Sequence, residues 1–396
     1  MLHIDRARLW QDLETLGNIG KGERGRTRPA FSREDLEGRQ LLVRWLNELG
    51  MEVRMDAYAN IWGIRKGQED LDPIIVGSHI DTVREAGMFD GCLGVLAGLA
   101  AVRALNEAGV QTKRPIAVLS FSDEEGARFL AGGLSGSRLM AGLTTLEVMK
   151  TKTDADGISW ADAMLKSGFV GRDTLKPHAY IEYHIEQGPI LADKGITIGV
   201  VEGIVNLTWK RFTFKGQANH AGAFPMNRRR DAGLAAAYAN IALNRFALEI
   251  GENTVITPGQ ISQRPNLPNI VPAEVVMTVD MRQFKPELFA KINGEIDKIV
   301  RAEAEKVGVS VEIEELLNAQ GAVFNEDLVD MVERHAEKLG YSNMRMPSGA
   351  GHDAQVMNRL CPTAMIFCPS VDGRSHCPEE FTSIDDVGAG ADVLLN

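Results

Sequence analysis

No apolar run in this chain of 396 residues approaches the roughly 20 residues needed to cross a bilayer, so no membrane span is expected. The N-terminal stretch MLHIDRARLW lacks the charged region followed by an apolar core that marks a secretory leader. Cysteine is scarce. The four residues Cys92, Cys361, Cys368 and Cys377 show no Cys-x-x-Cys spacing, which argues against a disulfide framework and suits a reducing compartment, so a cytoplasmic protein is expected. Positive charge is also short. With a formal net charge of −11, and Arg228 to Arg230 the nearest approach to a basic stripe, nothing would neutralise a phosphate backbone, and nucleic acid is not an expected partner. No internal repeat or low-complexity segment occurs. What remains is the composition of an ordinary globular protein, 44% hydrophobic and 24% charged. Its length favours two or three domains over a single core.

Chemistry-bearing residues gather where apolar runs end. Ile74, Ile75 and Val76 read as a buried parallel strand, and the segment GSHIDTVREAGMFDG that follows carries His79, Asp81 and Asp90. In open α/β sheets ligands bind beyond the carboxyl ends of the strands. A neutral imidazole at His79 suits a transition metal, and Asp81, two positions along, is placed to hold its tautomer. Asp90 precedes the small-residue helix GCLGVLAGLAAV and could bridge two cations. Alone, a His-x-Asp and an Asp-Gly are ordinary loop chemistry. A second run, PIAVLSFS, ends in Asp123, Glu124 and Glu125. Consecutive residues point to different sides, so Glu125 is assigned to metal and Glu124 to the general base. In AYIEYHIEQGPIL apolar and polar residues alternate, which makes His184 a strand residue on a polar face. The strand TAMIFC and its loop deliver His376. The count fits a two-metal hydrolase, with His79 and His184 on one ion, Glu125 and His376 on the other, and Asp90 between.

The chain pattern points to an inserted domain. Helical and strand patterns alternate at first, as in a sheet covered on both faces. From about Leu207 the order becomes βαββαβ: LTWKRFTFKG, the alanine-rich helix RDAGLAAAYANIALNRFALEIG, NTVITPGQISQ, AEVVMTVDMRQF, a helix after Pro286, and VSVEIEE. The expected architecture is therefore an α/β catalytic domain in two parts, residues 1–206 and 322–396, around a ferredoxin-like domain at 207–321.

The motifs GSHIDTV, MFDG, SDEEGARF, HIEQGP, NHAGAFPM, GAGHDA and GRSHCPEE occur in this order. From about residue 17 to 385 the chain resembles the amidase, hydantoinase/carbamoylase branch of the di-metal aminoacylase and carboxypeptidase superfamily. The resemblance implies relatives acting on N-carbamoyl-L-amino acids, allantoate, ureidoglycolate or β-ureidopropionate. It implies an aminopeptidase-like catalytic domain with a lid and dimerisation domain. Motif by motif it assigns metal to His79, Asp90, Glu125, His184 and His376, and the base to Glu124. It also implies substrate contacts at Gln187, His220, Asn269, Arg282 and His352, with His220 reaching across a homodimer interface. Arg282 would offer a planar fork to an α-carboxylate, completed by Asn269 and His352. His220 would donate to the oxyanion. Arg229 matches a family position too, where a structural role at a helix N-terminus is the expectation.

The implied reaction is hydrolysis of a linear amide or ureido bond with two divalent ions, zinc or else manganese, cobalt or nickel. Arg84, Glu85, Ala86 and Gly87 stand where the family has a proline and a glycine pair, and Ala223 and Phe224 where it has two threonines. Both changes lie near a side-chain pocket and a lid, so an atypical acyl substrate is an open alternative. Allantoate or ureidoglycolate hydrolysis, an N-acyl deacylase or exopeptidase, and a non-catalytic binding protein are the other readings.

Overall fold

Apolar runs bounded by turns become the strands of two sheets in the structure, a computed structural model that describes residues 1–129 and 131–396. In chain order the strands are β1 (Glu52–Met55), β2 (Ile61–Arg65), β3 (Ile74–His79), β4 (Ile116–Phe121), β5 (Ala179–Ile185), β6 (Ile198–Ile204), β7 (Asn206–Lys215), β8 (Val255–Arg264), β9 (Glu274–Gln283), β10 (Ser310–Ala319), β11 (Ala322–Val323), β12 (Asn343–Ser348) and β13 (Thr363–Cys368). The chain divides into two compact units, Met1–Gly203 with Val323–Asn396, and Ile204–Ala322.

The first unit is built on a nine-stranded mixed sheet of order β1-β2-β4-β3-β5-β13-β6-β11, with β12 paired to β6. Its centre is parallel: β3 pairs with β4 and with β5, and β13 with β5. These strands are buried almost throughout, as the continuous Val, Ile and Leu runs require of a sheet covered on both faces. Their carboxyl ends open on the same side. The edge differs from a simple βα alternation, because β1 and β2 form an antiparallel hairpin that pairs antiparallel to β4. The expected strand MEVRMDAY stops at Met55 for a local reason. The Asp56 carboxylate accepts from the N–H groups of Tyr58 and Asn60, both at 2.9 Å, and turns the chain. Helix Cys92–Glu107 is buried along most of its length and packs on β3.

The second unit holds strands and helices in the order βαββαβ, with the helices at Ala232–Ile250 and Pro286–Glu305. Its antiparallel sheet has the order β10-β7-β9-β8. β9 alternates strictly, turning Val275, Met277, Val279 and Met281 inward. Phe289, Ile292, Ile296, Val300 and Ala304 recur at helical spacing and meet them, with Phe212 and Phe214 from β7. Burial of each large side chain contributes about 1.5–3 kcal/mol, enough for the unit to have a core of its own. Asp231 starts the first helix by accepting from Gly233 and Leu234 N–H.

Candidate metal centre

His79 is the last residue of β3, and His184 lies on the neighbouring β5 at the position that continues the β3–β5 register. Both are 1% exposed, with ring centroids 6.2 Å apart. Each ring is fixed by a backbone carbonyl. His79 Nδ1 donates to Asp81 O at 3.0 Å and His184 Nδ1 to Ile185 O at 2.9 Å. A neutral ring held in this way turns the lone pair of Nε2 outward. Both Nε2 atoms face Asp90 Oδ1, at 3.6 and 3.1 Å. Gly91 makes that approach possible, since a Cβ there would stand inside the His79 ring and its φ of 65° is one L side chains rarely adopt.

The second carboxylate oxygen of Asp90 faces the other loops. His376 Nε2 lies 3.1 Å from Asp90 Oδ2 and 3.4 Å from Glu125 Oε2. Gln187 Nε2 donates to Asp90 Oδ2 at 2.8 Å. Asp123, Gln187 and His376 all have positive φ, of 54°, 59° and 57°, so backbone strain gathers at the strand exits. Asp81 corrects the sequence-based reading. Its carbonyl, not its carboxylate, anchors His79, and the carboxylate, 3.8 Å from Nδ1, instead accepts from the N–H groups of Glu124 and Glu125 at 3.2 and 3.3 Å. Glu124 projects toward His79, with Oε2 3.6 Å from Nε2.

Two sets of ligand atoms lie within 4.8 Å of one another: His79, Asp90 and His184, and Asp90, Glu125 and His376. The electrostatics fit cations between them. Ring nitrogens and carboxylate oxygens converge, and Glu125 Oε1 is buried with no hydrogen-bond partner among the described residues. Burial pulls the His79 pKa down to about 4, keeping the ring neutral as a ligand must be. For His184 burial also pulls down, but Asp90 outweighs it and lifts the pKa to about 9, so this position calls for a positive charge, a proton or a metal ion. Burial, then Asp353 and Glu125, push the Glu124 carboxyl well up. Burial and then Asp90 do the same to Glu125. Two divalent ions would relieve this crowding of acids.

His352 packs edge-on to His184, centroids 4.5 Å apart, with Nε2 3.1 Å from Ser348 Oγ. Burial, then His184, hold its pKa well below the usual value. Glu380, in the quoted motif GRSHCPEE but unassigned by sequence, is 5% exposed and accepts from Phe89 and Asp90 N–H. Glu182 was also missed. It is buried behind His184 on β5 and accepts from Ser78 Oγ at 2.6 Å and Ala354 N at 2.8 Å. An acid two positions from a strand histidine was the available signal.

His220, Asn269 and Arg282 belong to the second unit. His220 is exposed and its Nδ1 accepts from Gly222 and Ala223 N–H at 3.0 and 3.1 Å, which leaves the proton of a neutral ring on Nε2, a donor. Its loop pairs with that of Asn269, whose carbonyl accepts from Ala221 N–H at 2.9 Å. Arg282 is not near them. Asn269 precedes the start of β9 and Arg282 stands near its end, so at ~3.3 Å per residue about 25 Å separates them. The length of β9 therefore keeps Asn269 and Arg282 of one chain apart. The Arg282 guanidinium pairs edge-on with Asp280, Nε and Nη2 each at 3.0 Å. Arg229 is structural, though not at the helix N-terminus. Its guanidinium binds the carbonyls of Ala221 at 2.5 Å and Phe224 at 3.0 Å, holding the His220 loop, while Asp231 caps the helix.

Against known proteins, the sequence profile of peptidase family M20/M25/M40 matches residues 75–396. The N-carbamoyl-L-amino-acid amidohydrolase of Rhizobium meliloti is 40% identical across 99% of this chain and 95% of its own. An N-carbamoyl-L-amino acid amidohydrolase of Geobacillus stearothermophilus is also 40% identical, across 99% of this chain and 98% of its own. Among solved structures, an amidase of the hydantoinase/carbamoylase family from Burkholderia multivorans superposes with a TM-score of 0.96 at 37% identity, covering 100% of this chain and 97% of that one.

Proposed function

Because this chain belongs to peptidase family M20/M25/M40, we propose that it is a metal-dependent amidohydrolase that cleaves the ureido C–N bond of an N-carbamoyl-L-amino acid or a related ureido acid. The observation that carries the reading is the convergence of the His79, His184 and His376 nitrogens on the two oxygens of Asp90. His79 and His184 would hold one divalent ion and Glu125 and His376 the other, with Asp90 facing both sets. The donor set suits zinc, manganese, cobalt or nickel.

Two such ions acidify water and polarise the substrate carbonyl. Glu124, buried and with its affinity for protons raised, takes the proton of the attacking water and hands it to the leaving nitrogen. Asp81 holds the backbone from which Glu124 projects. His220 Nε2–H donates to the oxyanion, a contact worth about 3 kcal/mol. Arg282, oriented by Asp280, receives the substrate carboxylate, and Gln187 and His352 border the ions.

The βαββαβ unit is read as a ferredoxin-like lid and dimerisation domain, and the protein as a cytoplasmic homodimer. A substrate of amino-acid size cannot span the length of β9, so His220 and Asn269 on one side and Arg282 on the other come from two copies of the chain. Exposed Leu234, Tyr238, Ile241 and Leu248 on helix Ala232–Ile250, with Val255 and Ile261 on the edge strand β8, supply an apolar face for the second copy.

The test is a panel of N-carbamoyl, N-formyl and N-acetyl amino acids with allantoate and dipeptides, assayed after stripping and reloading with each metal. Turnover of N-carbamoyl-L-amino acids that chelation abolishes is expected. Hydrolysis of dipeptides alone, or activity indifferent to chelators, overturns the reading.

A further inference from the structure

The buried carboxyl of Glu380 touches both of the loops that meet at Asp90. Its Oε1 accepts from the N–H groups of Phe89 at 3.0 Å and Asp90 at 3.2 Å. Its Oε2 lies 2.9 Å from Ser375 Oγ, and the same Oγ lies 3.0 Å from Asp90 Oδ2. Ser375 adjoins His376, so one side chain ties the backbone of Asp90 to the segment that carries His376. The fit is tight. Gly87 packs against Glu380 so closely that a Cβ at position 87 would overlap the carboxyl.

The two halves of the metal centre depend on this tie unequally. His79 and His184 are on hydrogen-bonded central strands and are 1% exposed. His376 is on a loop, its side chain 50% exposed, and reaches Asp90 only if that loop is held against residues 87–90. We infer that Glu380 is a positioning residue that holds the Asp90 and His376 loops in register and thereby sets the affinity of the ion shared by Asp90, Glu125 and His376. This rests on the metal-dependent hydrolase reading. Glu380 is at hydrogen-bond distance from neither His376 nor Glu125 among the described residues, and acts through the Phe89 and Asp90 amides and Ser375. Such supporting groups typically contribute 10- to 100-fold to metal affinity.

The experiment is a spectroscopic titration of the metal-stripped full chain with Co²⁺, comparing wild type with Glu380→Ala, Glu380→Gln and Ser375→Ala. Wild type is expected to take up two ions per chain. Glu380→Ala should keep the first and weaken the second by roughly 10- to 100-fold. Glu380→Gln retains an oxygen for the two amides and an NH₂ group for Ser375, and should stay within about threefold of wild type. Ser375→Ala, which leaves Glu380 on the amides alone, should weaken the second ion by a smaller factor and guards against misfolding of Glu380→Ala. Two equally tight ions in both alanine variants, equal weakening of both ions, or a Gln variant as impaired as Ala overturns the role of Glu380. A wild-type chain that takes up no ion overturns the hydrolase reading itself.

Discussion

The Asp81 carboxylate accepts from the backbone N–H of Glu124 at 3.2 Å and of Glu125 at 3.3 Å. One buried acid thus fixes the turn from which the proposed base and a proposed metal ligand project. Asp81→Ala removes both acceptors and leaves the buried Glu124 amide unpaired, at about 1–3 kcal/mol, and the partly buried Glu125 amide at less. Because His79 is anchored by the carbonyl of residue 81, the variant should keep its affinity for the ion on His79 and His184 while losing turnover and thermal stability. Calorimetric titration with metal, alongside a melting curve, checks both halves.

Glu124→Gln should retain two ions per chain and lose turnover by about 10²- to 10⁴-fold, the contribution of a positioned base. Metal content by elemental analysis and kcat on an N-carbamoyl amino acid are the measurements. Near-normal turnover would remove Glu124 from the base role.

Metal affinity should depend on pH in a set direction. The His184 pKa is raised to about 9, so below that pH an incoming ion must displace a proton, and apparent affinity falls as pH falls, by about tenfold per unit for one proton. His376, raised chiefly by its hydrogen bond to Asp90, adds to the same trend. Titrations in buffers of different ionisation enthalpy count the protons released. An affinity flat between pH 6 and 9 contradicts this assignment.

Gly91→Ala places a methyl in the space of the His79 ring and forces an L side chain into a left-handed backbone. Loss of the ion on His79 and His184 is expected, with destabilisation of about 1–2 kcal/mol from the backbone alone. Metal stoichiometry and melting temperature read it out.

His220→Ala and Arg282→Ala chains should each be inactive alone and active when mixed. If their groups reach one substrate from two copies, a mixed dimer has one intact site, and random pairing gives roughly a quarter of wild-type activity. No recovery on mixing denatured and refolded chains would place both groups in one subunit's site.

The strand exits were readable because their signal is local: an apolar run, then His, Asp or Glu. Continuous runs such as Ile74 to Val76 and Ala364 to Phe367 mark strands buried on both faces, and such strands run parallel, so their exits converge. Contacts made across the chain were not readable. Nothing near Glu380 in sequence reveals that Phe89 and Asp90 donate to it from 291 and 290 positions away. The Asp81 reading failed for a subtler reason, since a carbonyl and a carboxylate of one residue compete for the same imidazole and only the turn geometry decides. The separation of Asn269 from Arg282 is legible in the length of the AEVVMTVDMRQF strand, because an extended chain rises ~3.3 Å per residue.

Asp123, Gln187 and His376 hold backbone conformations that glycine would adopt at no cost. At Asp123 the buried bonds from Ser135 and Trp160 oppose such a change, but selection for heat resistance alone would be drawn toward glycine at Gln187 and His376, and either replacement would strip a side chain that faces Asp90. The most durable version of this protein and its most active version are different sequences, and they part company at the strand exits first.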